Sequence, residues 1–174
     1  NTFDGNWGGI VAWENADRFG HDGSANTSKG YTTLLIDPSG AHGTPLMSTC
    51  GDPATGGKIG QDPYYSDCRW KTNNLLVSGN TFVAADPAAI GCTSAHCNRH
   101  GLFSNFGTYP SWSPYKARVI QEAITFHQNN VWRDNAYTGE WSFVPYEMGN
   151  VKSFAEWQAA PYNQDAGSTY GTEP

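Results

Sequence analysis

The chain has 174 residues, a net charge of −6 and only 15% charged residues. That length supports one domain with a real core and is short for two ordinary ones. The acidic balance argues against nucleic acid and membrane surfaces as partners, because both need a basic face, and no apolar run approaches the ~18 residues of a spanning helix.

Gly is frequent, and aromatic residues make up 14%. With abundant Asn, Ser and Thr, this describes a loop-rich β protein. The chain opens with N-T-F-D-G-N-W-G-G-I-V over 1–11. At one fixed offset it meets N-A-Y-T-G-E-W-S-F-V-P over 135–145. Asn1 matches Asn135, Phe3 matches Tyr137, Gly5 matches Gly139, Trp7 matches Trp141, and Ile10 matches Val144. Asn80-Thr81-Phe82 is a third copy. The copies lie farther apart than the roughly 20–45 residues of one solenoid turn, so long insertions separate them.

The first insertion, about 19–67, is rich in turn formers. One apolar run over 31–36 reads as a short strand, and Asn26-Thr27-Ser28 is a glycosylation sequon. The second insertion, about 86–116, ends in the aromatic, Pro-rich F-G-T-Y-P-S-W-S-P-Y. Residues 119–128 can be read as a short helix, but a strand over 123–126 is the expectation, because an Asn pair follows them as it does at Asn73-Asn74. Ser153 and Glu156 make a capping box for one short helix, stopped by Pro161. The polar tail over 162–174 is expected to be extended.

Four cysteines allow three pairings. The most local is Cys50–Cys68 with Cys92–Cys97. An even count in a Lys-poor chain predicts an oxidising compartment and therefore secretion. His96 and His100 lie beside Cys92 and Cys97, but the spacing is not a standard zinc pattern. A small disulfide loop with two exposed histidines is the expectation there. No metal or other cofactor is implied.

An Asn at each bend has a physical purpose. Asn tolerates left-handed backbone angles and bonds its own backbone. Stacked Asn side chains form ladders of amide hydrogen bonds. With the motifs over 74–82 and 130–137, the chain resembles the right-handed parallel β-helix proteins of the pectate-lyase-like superfamily. S-F-A-E-W-Q followed by Q-D-A-G-S resembles the last turn of secreted bacterial members. The resemblance implies one all-β domain over 1–174, a right-handed parallel β-helix with long insertion loops and a C-terminal capping helix. An antiparallel β-sandwich is the alternative. The N-T-F copy starts at Asn1 with no strand before it, which predicts the C-terminal part of a longer β-helix, the rest serving as partner.

The resemblance specifies function less closely than fold, because this fold hosts many activities. It implies a secreted protein that binds an extracellular polysaccharide or glycan and in its full-length form cleaves it, as a lyase or glycoside hydrolase. A non-catalytic structural, adhesion or glycan-binding module is the alternative. Sugars stack their C–H faces on aromatic rings. Tyr109, Trp112 and Tyr115 are the expected substrate contacts. Trp7, Trp13, Trp132 and Trp141 are further aromatic candidates, and Trp7 and Trp141, at equivalent repeat positions, are expected in the core. Glu14, Asp17 and Glu147 are candidate acid–base carboxylates. Arg69 and Lys71 are candidates for charge neutralisation and proton abstraction in a lyase.

Overall fold

The structure, a computed structural model, describes residues 1–14, 71–104 and 118–171. The strand expected over 31–36, the sequon and the Cys50–Cys68 pair lie outside these residues.

The elements follow in chain order. They are β1 (Thr2–Asp4), β2 (Val11–Trp13), β3 (Leu76–Ser78), β4 (Thr81–Val83) and β5 (Arg99–Phe103). Then come helices α1 (Arg118–Gln121) and α2 (Ala123–Phe126), and strands β6 (Val131–Arg133), β7 (Ala136–Thr138) and β8 (Ser142–Val144). Helix α3 (Phe154–Gln158) and strand β9 (Thr169–Gly171) close the series. The strands form three sheets, ordered β1-β4-β7-β9, β2-β5-β8 and β3-β6. Every strand pair is parallel. The protein is therefore mostly β with parallel sheets, and the described strands do not build an antiparallel sandwich.

The strands are short because the chain bends in a left-handed conformation at matching places. Asn74, Asn129 and Asn163 have φ of 56°, 53° and 50°. At the next corner Gly79, Asp134 and Gly167 have φ of 67°, 54° and 74°. Gly, Asn and Asp adopt these angles at least cost. The corners are bonded to one another: Gly79 N donates to Asp134 O at 3.1 Å, and Asp134 N to Ala166 O at 2.9 Å.

Beside the second corner runs the Asn ladder. Asn1 Nδ2 donates to Asn80 Oδ1 at 3.0 Å, and Asn80 Nδ2 to Asn135 Oδ1 at 3.2 Å. Asn80 and Asn135 are buried. In the last layer Ser168 stands in register with Asn135, and its hydroxyl accepts from Asn135 N at 2.8 Å. The side chain of Asp165 takes the amide proton of Asn135 instead, at 3.0 Å. Next to this ladder, Phe3, Phe82 and Tyr137 stack at 4.9 Å and 5.2 Å between ring centres. Tyr170 continues the row.

One match read from the sequence is shifted. Phe3 pairs in register with Phe82 and Tyr137, as expected. In the second sheet, however, Val11 aligns with Gly101 and Val144, so Ile10 does not. The first layer holds one extra residue between β1 and β2. A slip of one residue exchanges the two faces of a strand. Trp7, expected in the core, is therefore 57% exposed, whereas Trp141 is buried.

Three further expectations are corrected. Residues 123–126 form helix α2, not a strand. Packing decides this: Ala123 and Ile124 are fully buried, the Thr125 hydroxyl bonds to Pro145 O, and Asn130 Nδ2 satisfies the Ile124 carbonyl at 2.7 Å. Tertiary contact overrides weak helix propensity. The tail is not merely a polar extension. Gln164 and Asp165 are buried, and β9 adds a fourth strand to the first sheet. Trp132 is fully buried in the core, not a surface aromatic.

The capping box of α3 forms as read: Ser153 Oγ accepts from Glu156 N, and the Glu156 carboxylate accepts from Ser153 N. The helix sets Trp157 into the core, stacked on Phe143 at 5.7 Å.

Close backbone contact makes Gly101 a sensitive position. It has φ of 141°, and a Cβ there would meet Val144 O at 2.0 Å. Gly101→Ala is expected to cost on the order of 2 kcal/mol, read as a lower urea midpoint. An unchanged midpoint would show that β5 and β8 are not this close.

Candidate functional site: an aromatic groove on the second sheet

Alternation along β2 turns Val11 and Trp13 to the outside of the second sheet. Trp13 is 45% exposed. Together with Trp7 and Phe103 they line a groove of about 370 Å³. The slip that expels Trp7 from the core thus supplies one of its walls. The Trp7 indole is held in place, because its Nε1 donates to Ile90 O at 3.0 Å.

Further lining residues come from the segment that follows β4. Cys92 and Cys97 form a disulfide with Cα atoms 6.0 Å apart. Cys92, Ser94 and His96 of this segment line the groove, together with Arg99 at the start of β5. Asn98 fastens the segment to the sheet. Its N donates to Trp7 O at 2.7 Å, its O accepts from Ser142 N at 2.9 Å, and its Nδ2 donates to Ala85 O at 3.0 Å. A loop of this length closed by a disulfide is stabilised by about 2 kcal/mol in the chain-entropy description. Peptide mapping is expected to recover Cys92 linked to Cys97 and, by the sequence reading, Cys50 linked to Cys68. A bridge between the two loops would overturn that pairing.

The groove is mostly apolar, with Ser94, His96 and Arg99 as its polar lining residues. Arg99 Nη1 donates to Met148 O at 3.1 Å. Burial lowers the Arg99 pKa from its usual value. Burial also lowers that of His96, and the nearby Arg99 charge adds to the effect, so His96 is neutral at neutral pH. Among the described residues that line the groove, none is a carboxylate.

His100, the neighbour of Arg99, is not exposed as expected but fully buried. The alternation of β5 sends Arg99 outward and His100 inward. Its Nδ1 accepts from Ile10 N at 3.2 Å. Its ring meets Phe82 edge to face at 4.3 Å and stacks on Phe143 at 5.7 Å. This is a core histidine.

The other candidates read from the sequence are placed as follows. Glu14 is buried, and its Oε1 accepts from Thr72 N at 2.8 Å and Gln128 Nε2 at 2.6 Å. It links three distant segments and does not line the groove. Lys71 is half-buried beside Thr72, and Glu147 is exposed in the turn after β8. The structure therefore does not gather Glu14, Lys71 and Glu147 in the aromatic groove. Asp17, Arg69, Tyr109, Trp112 and Tyr115 lie outside the described residues. Arg99 was missed by the sequence reading. The signal for it is the alternation in R-H-G-L-F, where His and Leu face inward and Arg outward.

Comparison of the chain with protein-family models, with curated proteins and with solved structures finds no match.

Proposed function

We propose that this chain is a secreted, carbohydrate-active protein that binds an extracellular polysaccharide in the Trp7–Trp13 groove. Its parallel sheets and stacked Asn corners support a right-handed parallel β-helix as the finer fold, since parallel crossovers in one sheet run right-handed. The observation that carries the function is the pair of exposed indoles in a single groove. Exposed aromatic faces suit the C–H faces of sugars, and a few polar groups beside them suit sugar hydroxyls.

The test is a panel of extracellular polysaccharides, measured by calorimetry. At least one is expected to bind, and the double variant Trp7→Ala, Trp13→Ala is expected to lose at least about tenfold in affinity. Trp7 is 57% and Trp13 45% exposed, and circular dichroism checks that the variant folds. A panel without a binder, or a double variant that binds like the parent, would overturn the reading.

A second reading, turnover in the same groove, is favoured by Arg99 and a neutral His96 lining it together. A lyase pairs a charge-neutralising group with a base. Turnover predicts the ultraviolet absorbance of unsaturated products. His96→Ala is expected to abolish that absorbance and keep binding. Binding without products or new reducing ends would leave a glycan-binding module.

A further inference from the structure

We infer that the groove takes a mostly neutral glycan carrying an isolated acidic sugar, whose carboxylate or sulfate ester pairs with Arg99. The inference rests on the glycan-binding reading and adds the charge of the occupant.

Arg99 is half-buried and lines the groove. Its guanidinium bonds a neutral acceptor, Met148 O at 3.1 Å. Burial alone shifts its pKa, and among the described residues no carboxylate offsets that shift. A cation drawn partly out of water without a counter-charge carries a desolvation cost that an anionic ligand offsets. The guanidinium has several N–H donors in a planar fork, and the fork matches a carboxylate or a sulfate. Ser94 adds a donor. Its Oγ accepts from His96 N at 3.1 Å, which leaves the hydroxyl proton to give. Among the described lining residues there is no carboxylate to repel the anion.

The same lining limits how much charge the glycan carries. Arg99 is the one cation among the described lining residues, because His96 is neutral there. A second anionic group in the groove would lose water against Trp7, Val11, Trp13 and Phe103 and find no second cation. The whole chain carries −6, which opposes a densely charged polymer. Neutral sugars around the acidic one suit the indoles, which take their C–H faces.

The panel for the experiment holds neutral glycans, glycans with sparse uronates or sparse sulfate esters, and homopolyuronates, all as oligosaccharides of equal length. The best binder is expected among the sparsely charged ones. Reducing its carboxyls to alcohols, or removing its sulfates, is expected to lower affinity about tenfold, and whichever treatment acts identifies the anion. Arg99→Gln is expected to lose about as much on the charged form and to stay within about threefold on the uncharged form. Arg99→Lys keeps the charge and is expected to keep part of the preference. A neutral or uncharged form that binds as tightly as the charged one would overturn this inference and leave the proposed function standing. So would a homopolyuronate that binds as tightly as the sparsely charged glycan, or an Arg99→Gln loss that falls equally on both forms. If no glycan in the panel binds, the proposed function falls, and this inference with it.

Discussion

Asp165→Ala is expected to lower the stability of the fold by about 4 kcal/mol, because one buried carboxylate terminates several hydrogen-bond chains. Asp165 is fully buried. Its Oδ1 accepts from Asn135 Nδ2 at 3.0 Å and from Ser168 Oγ at 2.7 Å. Its Oδ2 accepts from Tyr137 Oη at 2.9 Å and from Trp157 Nε1 at 2.8 Å. The Asn ladder, the aromatic row and helix α3 thus end on the same two oxygens. Burial, followed by the Asp165 charge, raises the Tyr137 pKa far above the ordinary tyrosine value, so the hydroxyl remains a donor at every accessible pH. Removing the carboxylate takes an acceptor from three buried donors and from the half-buried Ser168 hydroxyl, each unsatisfied buried donor costing roughly 1–3 kcal/mol, with partial relief because Asn135 Nδ2 keeps Val77 O. Ala also fits poorly at φ 52°, where Asp is tolerated. Asp165→Asn keeps one acceptor oxygen and sets an amide against the remaining donors. It should fall between the parent and the alanine variant. Urea denaturation would show this order as falling midpoints. An alanine variant as stable as the parent would mean that the carboxylate does not join these elements.

Acid is expected to destabilise the protein steeply, and His100 is the reason. Burial among aromatic rings holds its pKa down to about 3, against an ordinary 6.5. Between those values the unfolded chain binds a proton that the folded chain refuses. The neutral imidazole therefore contributes its full stability above about pH 6.5. That contribution falls by about 1.4 kcal/mol per pH unit as the solution is acidified, reaching a loss of roughly 5 kcal/mol near pH 3. The tightness of the site supports this sign. A Cβ on Gly9 would lie 1.8 Å from the His100 ring, so Gly9 leaves only the space the ring fills. The check is the pH dependence of unfolding free energy from urea melts between about pH 7 and about pH 4. His100→Leu removes the acceptor of Ile10 N and should start less stable, but its acid slope should be shallower. Equal slopes in the two proteins would assign the acid sensitivity to other groups.

What the sequence by itself determined is the set of features whose cause is local. Asn74, Asn80, Asn129 and Asn135 were legible, because a bend in a left-handed conformation accepts few residue types and stacked amides recur at fixed distances from the strand. The Ser153–Glu156 box was legible because its bonds close within one helical turn. The Cys92–Cys97 disulfide was legible because its loop is short. The tertiary structure alone decided how the layers align, and alignment depends on contacts between residues far apart in the chain. One extra residue before β2 sends Trp7 outward while Trp141 stays in the core. A serine takes an asparagine's place at Ser168, and Asp165, three residues earlier, supplies the missing acceptor. Glu14 looked like a free carboxylate, but Gln128 and Thr72 claim it from distant segments. His100 was expected to be exposed beside the disulfide loop, but the inward face of β5 buries it. The groove belongs to this second group, since the stretch from Trp7 to Trp13 and the distant Arg99 are brought side by side only by the pairing of β2 with β5.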